Sequence, residues 1–306
     1  MHQASNFHKD FIRPRYWLTW FGISILFLLV RLPYPLLYRL GTWMGRLSMR
    51  FMQRRMYIVR RNLELCFPDM ARDELENLIS SNFESLGMGL LETGMAWFWS
   101  DRRIKHWFNV EGLNHLRAAQ ETGRGILMIG VHFLSLEMGG RTMGLCHPMT
   151  AIYRPHNNKV IEWVQTRGRM RSNKAMIDRR NLRGIVHALK DGDTVWFAPD
   201  QDYGPNGSVF VQWFAVPEVA TTSGTWVLAR LAKPILMPVV LVRKNDCSGY
   251  ELIIHEELQD YPIENKMQAA RYINLIIERE IMRAPNQYMW LHRRFKTRPD
   301  GLRSIY

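Results

Sequence analysis

The residues best suited to chemistry in this 306-residue chain are His132 and Glu137, in the run Gly130-Val131-His132-Phe133-Leu134-Ser135-Leu136-Glu137. A neutral imidazole takes a proton from a hydroxyl near neutral pH. A carboxylate beside it fixes the tautomer and stabilises the imidazolium that forms. On one continuous helix a spacing of five separates the two side chains by ~140°. They meet only if His132 lies in a strand-to-helix turn and Glu137 in the first helical turn, with Ser135 as the N-cap. No G-x-S-x-G nucleophile elbow is present, so the hydroxyl belongs to a substrate and not to the protein. A satisfied buried histidine with an unrelated surface glutamate is the competing reading of this spacing.

The surrounding sequence supplies the elements that such a turn needs. Residues 125–131 (GILMIGV) form a short, wholly apolar run between turn signals, which predicts a buried strand directly before His132. Further strands are predicted at 149–154, 194–199, 235–242 and 250–254. Helices are predicted at 72–98, from about 135, at 158–168, 181–190, 221–232 and 266–283. Strands alternating with helices imply an α/β fold with a parallel or mixed sheet covered on both faces. Other polar clusters fall at strand ends, where α/β folds place their sites. They are Tyr153-Arg154-Pro155, followed by Arg167, Arg169 and Arg171, and Pro199-Asp200-Gln201-Asp202-Tyr203-Gly204.

Charge is strongly polarised along the chain. Residues 1–61 hold eleven Lys and Arg against one acid, whereas the remainder holds thirty against twenty-seven. The excess adjoins the uncharged stretch Tyr16–Val30 (YWLTWFGISILFLLV), a pattern for anionic lipid headgroups and not for nucleic acid, which draws positive charge around a cleft. Fifteen helical residues reach only ~22 Å of a ~30 Å hydrocarbon core. Continuing to Tyr38, with Arg31 snorkelling, would complete a single span; Pro33 and Pro35 favour a helix end near Arg31 and a deep interfacial anchor. The stretch 43–61 reads as a basic amphipathic helix, suited equally to a membrane surface or to packing on the main domain. These features divide the chain into an N-terminal membrane anchor (1–40), a basic surface segment (41–70) and a cytoplasmic catalytic domain (71–306).

Cys66, Cys146 and Cys247 are far apart and form no C-x-x-C, which points to reduced thiols. His147, His156 and His187 are read as lacking carboxylate or histidine neighbours at ligand spacing, so no metal site and no cofactor is expected.

The order of these blocks resembles the glycerol-phosphate acyltransferase superfamily: a His-x4-acid block, an Arg block, a Pro-acid-Gly-like block and a Pro-containing strand at Pro238. The segments RPRYWLTWFG (13–22), RRNLELCFP (60–68), LGMGLLETGMAWFW (86–99), YRPHNN (153–158), RGRMRSNKAM (167–176), WFAPDQDYG (196–204) and QYMWLHRRFKTRP (287–299) are similar to the late acyltransferases of lipid A biosynthesis, and lean to the palmitoleoyl branch. The resemblance implies a single-pass inner-membrane enzyme that moves a palmitoleoyl or lauroyl chain from acyl carrier protein to a hydroxyl on a hydroxyacyl chain of Kdo2-lipid IV(A). It implies His132 and Glu137 as the dyad of a His-x4-Glu motif, and further functional positions at Arg169 and Asp200. Arg169 would hold a lipid phosphate or the thioester oxyanion; Asp200 would anchor Arg169 or cap its own loop. Arg154, and Arg293 beside His292, are substrate-binding candidates, although packing of Trp290 and Phe295 accounts for the latter segment equally well. A membrane-associated thioesterase, and a non-catalytic membrane adaptor built on the arginine helix, remain as alternatives.

Overall fold

A computed structural model describes residues 7–299 and 303–306. The helices and strands alternate as α1 (Trp17–Leu29), α2 (Tyr34–Ser48), α3 (Gln53–Cys66), α4 (Arg72–Phe98), α5 (Asp101–Lys105), β1 (Phe108–Glu111), α6 (Leu113–Glu121), β2 (Ile126–Ile129), α7 (Leu136–Cys146), β3 (Thr150–Tyr153), α8 (Lys159–Arg169), β4 (Ala175–Asp178), α9 (Leu182–Lys190) and β5 (Thr194–Phe197). There follow β6 (Ser208–Trp213), β7 (Val216–Thr222), α10 (Gly224–Ala232), β8 (Ile235–Arg243), β9 (Tyr250–Ile254) and α11 (Lys266–Arg283).

Seven strands form one sheet in the order β1-β9-β8-β2-β5-β3-β4; β6 and β7 form a separate hairpin. Every pairing in the large sheet is parallel except β8 with β9. Central β2 shows why an unbroken apolar run was needed. Leu127 and Ile129 enter one core cluster while Ile126 and Met128 enter the other, so both faces are dry and successive side chains serve opposite layers. A mixed α/β fold with a parallel-rich sheet flanked by helices is thus observed.

The N-terminal third departs from expectation. Residues 16–38 do not form one helix: α1 stops at Leu29, the chain turns through Val30–Pro33, and α2 starts at Tyr34 with Pro35 in its first turn. No helix among the described residues is long and apolar enough to cross a membrane. Helix α2 instead packs along α4, burying Tyr34, Leu37, Gly41 and Gly45. The approach is so close that a Cβ on Gly45 would stand 2.0 Å from the Phe83 carbonyl oxygen, and one on Gly87 2.2 Å from that of Gly41. The stretch 43–61 is likewise broken, at Met49–Met52. Its second part, α3, buries Ile58, Val59 and Leu63, and its Asn62 amide donates to the carbonyls of Trp290 and His292. What remains outward is an apolar face on α1, with Trp17 62%, Leu18 82%, Phe21 63% and Leu28 65% exposed.

Residues 221–232 were expected to be helical throughout, but the helix starts at Gly224, because 216–222 complete the β6–β7 hairpin. Ser135 precedes α7 without capping it; its hydroxyl is buried and has no hydrogen-bond partner among the described residues.

Candidate active site

Strands β2 and β5 lie side by side in parallel with Ile129 opposite Phe197. Three residues beyond each strand end stand His132 and Asp200, 68 residues apart, which is the same offset as the strand register. The sheet therefore delivers both side chains to one point at its carboxyl edge. His132 Nδ1 lies 2.5 Å from Asp200 Oδ1, and the His132 backbone N–H donates to Oδ2 at 2.9 Å. Asp200 has no exposed surface. Burial by itself would raise its carboxyl; the His132 ring and backbone N–H outweigh that and hold it below the usual carboxylate range. An ionised Asp200 keeps the proton on Nδ1 and leaves the Nε2 lone pair for chemistry, as in a His–Asp pair of a hydrolase triad. The Trp196 indole lies edge-on to the imidazole at 6.0 Å.

This corrects the dyad read from spacing. Glu137 does lie in the first turn of α7, but its recorded partners lie on α4 and α8, and Asp200 has the place beside the imidazole that spacing had given to Glu137. Glu137 accepts from Trp97 Nε1 at 3.1 Å, from Gln165 Nε2 at 3.1 Å, and from Arg169 through Nε (3.1 and 3.2 Å) and Nη2. Burial would raise Glu137 and depress Arg169; their attraction wins on both sides, so Glu137 is pulled down, Arg169 is pushed up, and the pair stays ionised.

The turn bearing His132 is clasped by the C-terminal segment. Leu134 N–H donates to the Gln287 carbonyl at 2.8 Å, Met289 N–H to the His132 carbonyl at 3.0 Å, and the Tyr288 hydroxyl to the Asp200 carbonyl at 3.2 Å. Asp202 ties down the same segment through the backbone N–H (2.6 Å) and hydroxyl (2.8 Å) of Thr297. His292 accepts the Asp202 backbone N–H at 3.2 Å; burial first, and the Arg294 charge second, push its pKa down to about 4.

A cavity of about 340 Å³ opens at this edge and runs between α7, α8 and the sheet. His132, Glu137, Arg169, Arg154 and Tyr203 contribute to its wall, together with the apolar Ala96, Trp97, Leu136, Met149, Ile152 and Trp196. Of the residues singled out in the sequence, Arg293 is not on this wall: its guanidinium lies over the Tyr306 ring, 5.0 Å from the centroid. Asp200 stands behind His132, and its carboxylate contacts His132, not Arg169. His187, read as lacking a carboxylate neighbour, pairs with Asp191 at 2.7 Å on the exposed end of α9. Trp97 and Gln165 escaped the sequence reading because each acts through tertiary contact. Arg141 carried a readable signal, four residues after Glu137 on one helix face; it lines the cavity, is nearly buried, and pairs with Asp101.

Comparison with known proteins agrees with the resemblance noted in the sequence. Residues 4–297 match the family described as bacterial lipid A biosynthesis acyltransferase. The chain is 60% identical to the lipid A biosynthesis palmitoleoyltransferase of Escherichia coli (strain K12) over 306 residues, all of both chains. It is 53% identical to the lauroyltransferase of the same organism, again over the whole of both. With a lipid A biosynthesis acyltransferase of Haemophilus influenzae it shares 47% over 297 residues, 96% of this chain and 95% of that one. A carboxylate-held histidine on the wall of a cavity, and full-length likeness at these identities, place this chain in the bacterial lipid A biosynthesis acyltransferase family.

Proposed function

We propose that the chain transfers a fatty acyl group, palmitoleoyl or lauroyl, from the thioester of acyl carrier protein to the hydroxyl of a hydroxyacyl chain on Kdo2-lipid IV(A). The observation that carries this reading is the His132–Asp200 pair, with His132 on the cavity wall. His132 Nε2 takes the proton as the acceptor oxygen bonds to the thioester carbonyl carbon. The tetrahedral intermediate then collapses, the C–S bond breaks, and the departing thiolate recovers that proton from the imidazolium. Asp200 holds the tautomer and stabilises the transient cation. Arg169, fixed by Glu137, supplies positive charge on the cavity wall for the carbonyl oxygen or a lipid phosphate. Arg154, exposed at the rim, suits the second of these roles.

The N-terminal helix completes the reading. α1 is ~20 Å long, too short for a ~30 Å core, so the exposed Trp17, Leu18, Phe21 and Leu28 would sink into one leaflet. Trp20 packs on Trp163 of α8, beside the cavity, which would set the mouth against the membrane that carries the acceptor. The catalytic domain would then face the cytoplasm, beside anionic phospholipid.

The test is incubation of purified protein with acyl carrier thioester and lipid precursor, read by mass spectrometry. The expected product is lipid heavier by one acyl group. Release of free fatty acid alone would replace transfer by thioester hydrolysis.

A further inference from the structure

Helix α7 presents Glu137, Gly140 and Arg141 to the cavity. Gly140 is the unusual one: a Cβ built on it would meet nothing within 4 Å. A close-packed helix normally fills such a position. A second cavity, of about 30 Å³, lies on the core side of α7, bounded by Val131, Met143, Val239, Leu241 and Leu252. The two cavities share Leu136, Gly140 and Trp196 as wall. Two of these have side chains that change rotamer; the third has none.

We infer that Gly140 determines acyl-chain length: its bare Cα keeps a neck open between the site cavity and the apolar recess, and the far end of a long acyl chain passes through that neck. This rests on the reading of the main cavity as the acyl site. Gly140 lies three residues, ~4.5 Å along the helix axis, beyond Glu137, so medium-length chains end before it and longer ones reach it. Polarity steers the chain the same way. The wall that the main cavity does not share with the recess holds Arg141 Nε and Nη1, Ser172 Oγ and Asn173 Oδ1, all buried without a partner among the described residues, whereas the recess holds Ser135 Oγ as its one such atom among them. Covering unpartnered polar atoms with methylene groups is costly, so a hydrocarbon end favours the recess. The recess has room for roughly two small groups at its end.

The experiment measures kcat/KM for the full-length protein and its Gly140→Ala and Gly140→Leu variants, each with a graded series of saturated acyl-carrier thioesters from medium to long chain. The long-to-short ratio is expected to fall roughly tenfold or more in Gly140→Leu, the scale of discrimination of an apolar pocket over one or two methylenes, and less in Gly140→Ala. A folded Gly140→Leu protein with the wild-type length profile, or with an equal loss at every length, overturns the inference. Should Gly140→Leu fail to fold, Gly140→Ala decides, because its new methyl meets no neighbour. Ala151→Leu, on the wall of the main cavity and not on that of the recess, separates the two readings. If it changes the length profile and the Gly140 variants do not, the acyl site stands and the role of Gly140 falls. If neither changes the profile, the acyl reading of the cavity falls with it.

Discussion

Two buried acid–base pairs stand at the cavity, five residues apart in sequence, and they are built for different work. His132 takes its partner from the adjacent strand end, and the imidazole keeps one nitrogen uncommitted. Glu137 takes Arg169, Trp97 and Gln165, which bind α7 to α8 and α4 on three sides. In the mechanism proposed above, one proton moves to and from the first pair while its carboxylate stays charged. The second is a fixed dipole whose attraction keeps both members ionised. A motif written as His-x4-Glu thus names two neighbours that serve the same cavity through separate networks.

The sharpest way to break this comparison is to remove the base. His132→Ala is expected to lower turnover by about 10²–10⁴. Asp200→Asn should cost a comparable factor by favouring the wrong tautomer, and the double variant no more than either alone, since the pair acts as one unit. Multiplying losses in steady-state kinetics would show that the two act independently. Glu137→Ala should separate the pairs by stability: it strands the Arg169 charge, and a loss of about 3–5 kcal/mol in denaturant unfolding is expected, with turnover falling as Arg169 shifts. An unaltered unfolding midpoint would make Glu137 a reacting group and not a support. The smallest effect belongs to His292. Its pKa of about 4 in the folded chain lies below the ordinary ~6.5 of an unfolded histidine. Between those values the unfolded chain binds a proton that the folded chain refuses, so stability falls as the pH drops from about 6.5 to about 4, by up to about 3 kcal/mol. His292→Gln should flatten that slope in unfolding midpoints measured against pH; an unchanged slope would place the acid sensitivity elsewhere.

Much of the sheet was legible because its strands are apolar runs bounded by Gly, Pro and charge. α4 and α11 were legible because their apolar faces repeat over many turns. The β6–β7 hairpin was not. Its turn is made by Phe214 at φ 47°, a left-handed position with no Gly, Asn or Asp to announce it, so neither strand was read and only the last two residues of β7 fell within the helix reading. β4 is four residues long and follows a basic run, which conceals it. At the site, His132 was legible from the strand before it. Its partner was misread because spacing was weighed along the chain alone. Counting equal distances from the ends of the 125–131 and 194–199 strands would have put Asp200 beside His132, given that those strands are neighbours. The break between α1 and α2 was signalled by Pro33 and Pro35, but the burial of α2 was not, since its glycine contacts need α4 to be seen.

The clasp on the catalytic turn bears on the order in which the protein comes into being. A ribosome delivers the exposed apolar helix α1 well before the Gln287–Thr297 segment. His132 and Asp200 are both synthesised long before the backbone groups that hold their loops. The nascent chain therefore has the apolar face of α1 available while the rest of the domain is made, and the base proposed here is held in place only once the segment through Thr297 has been added.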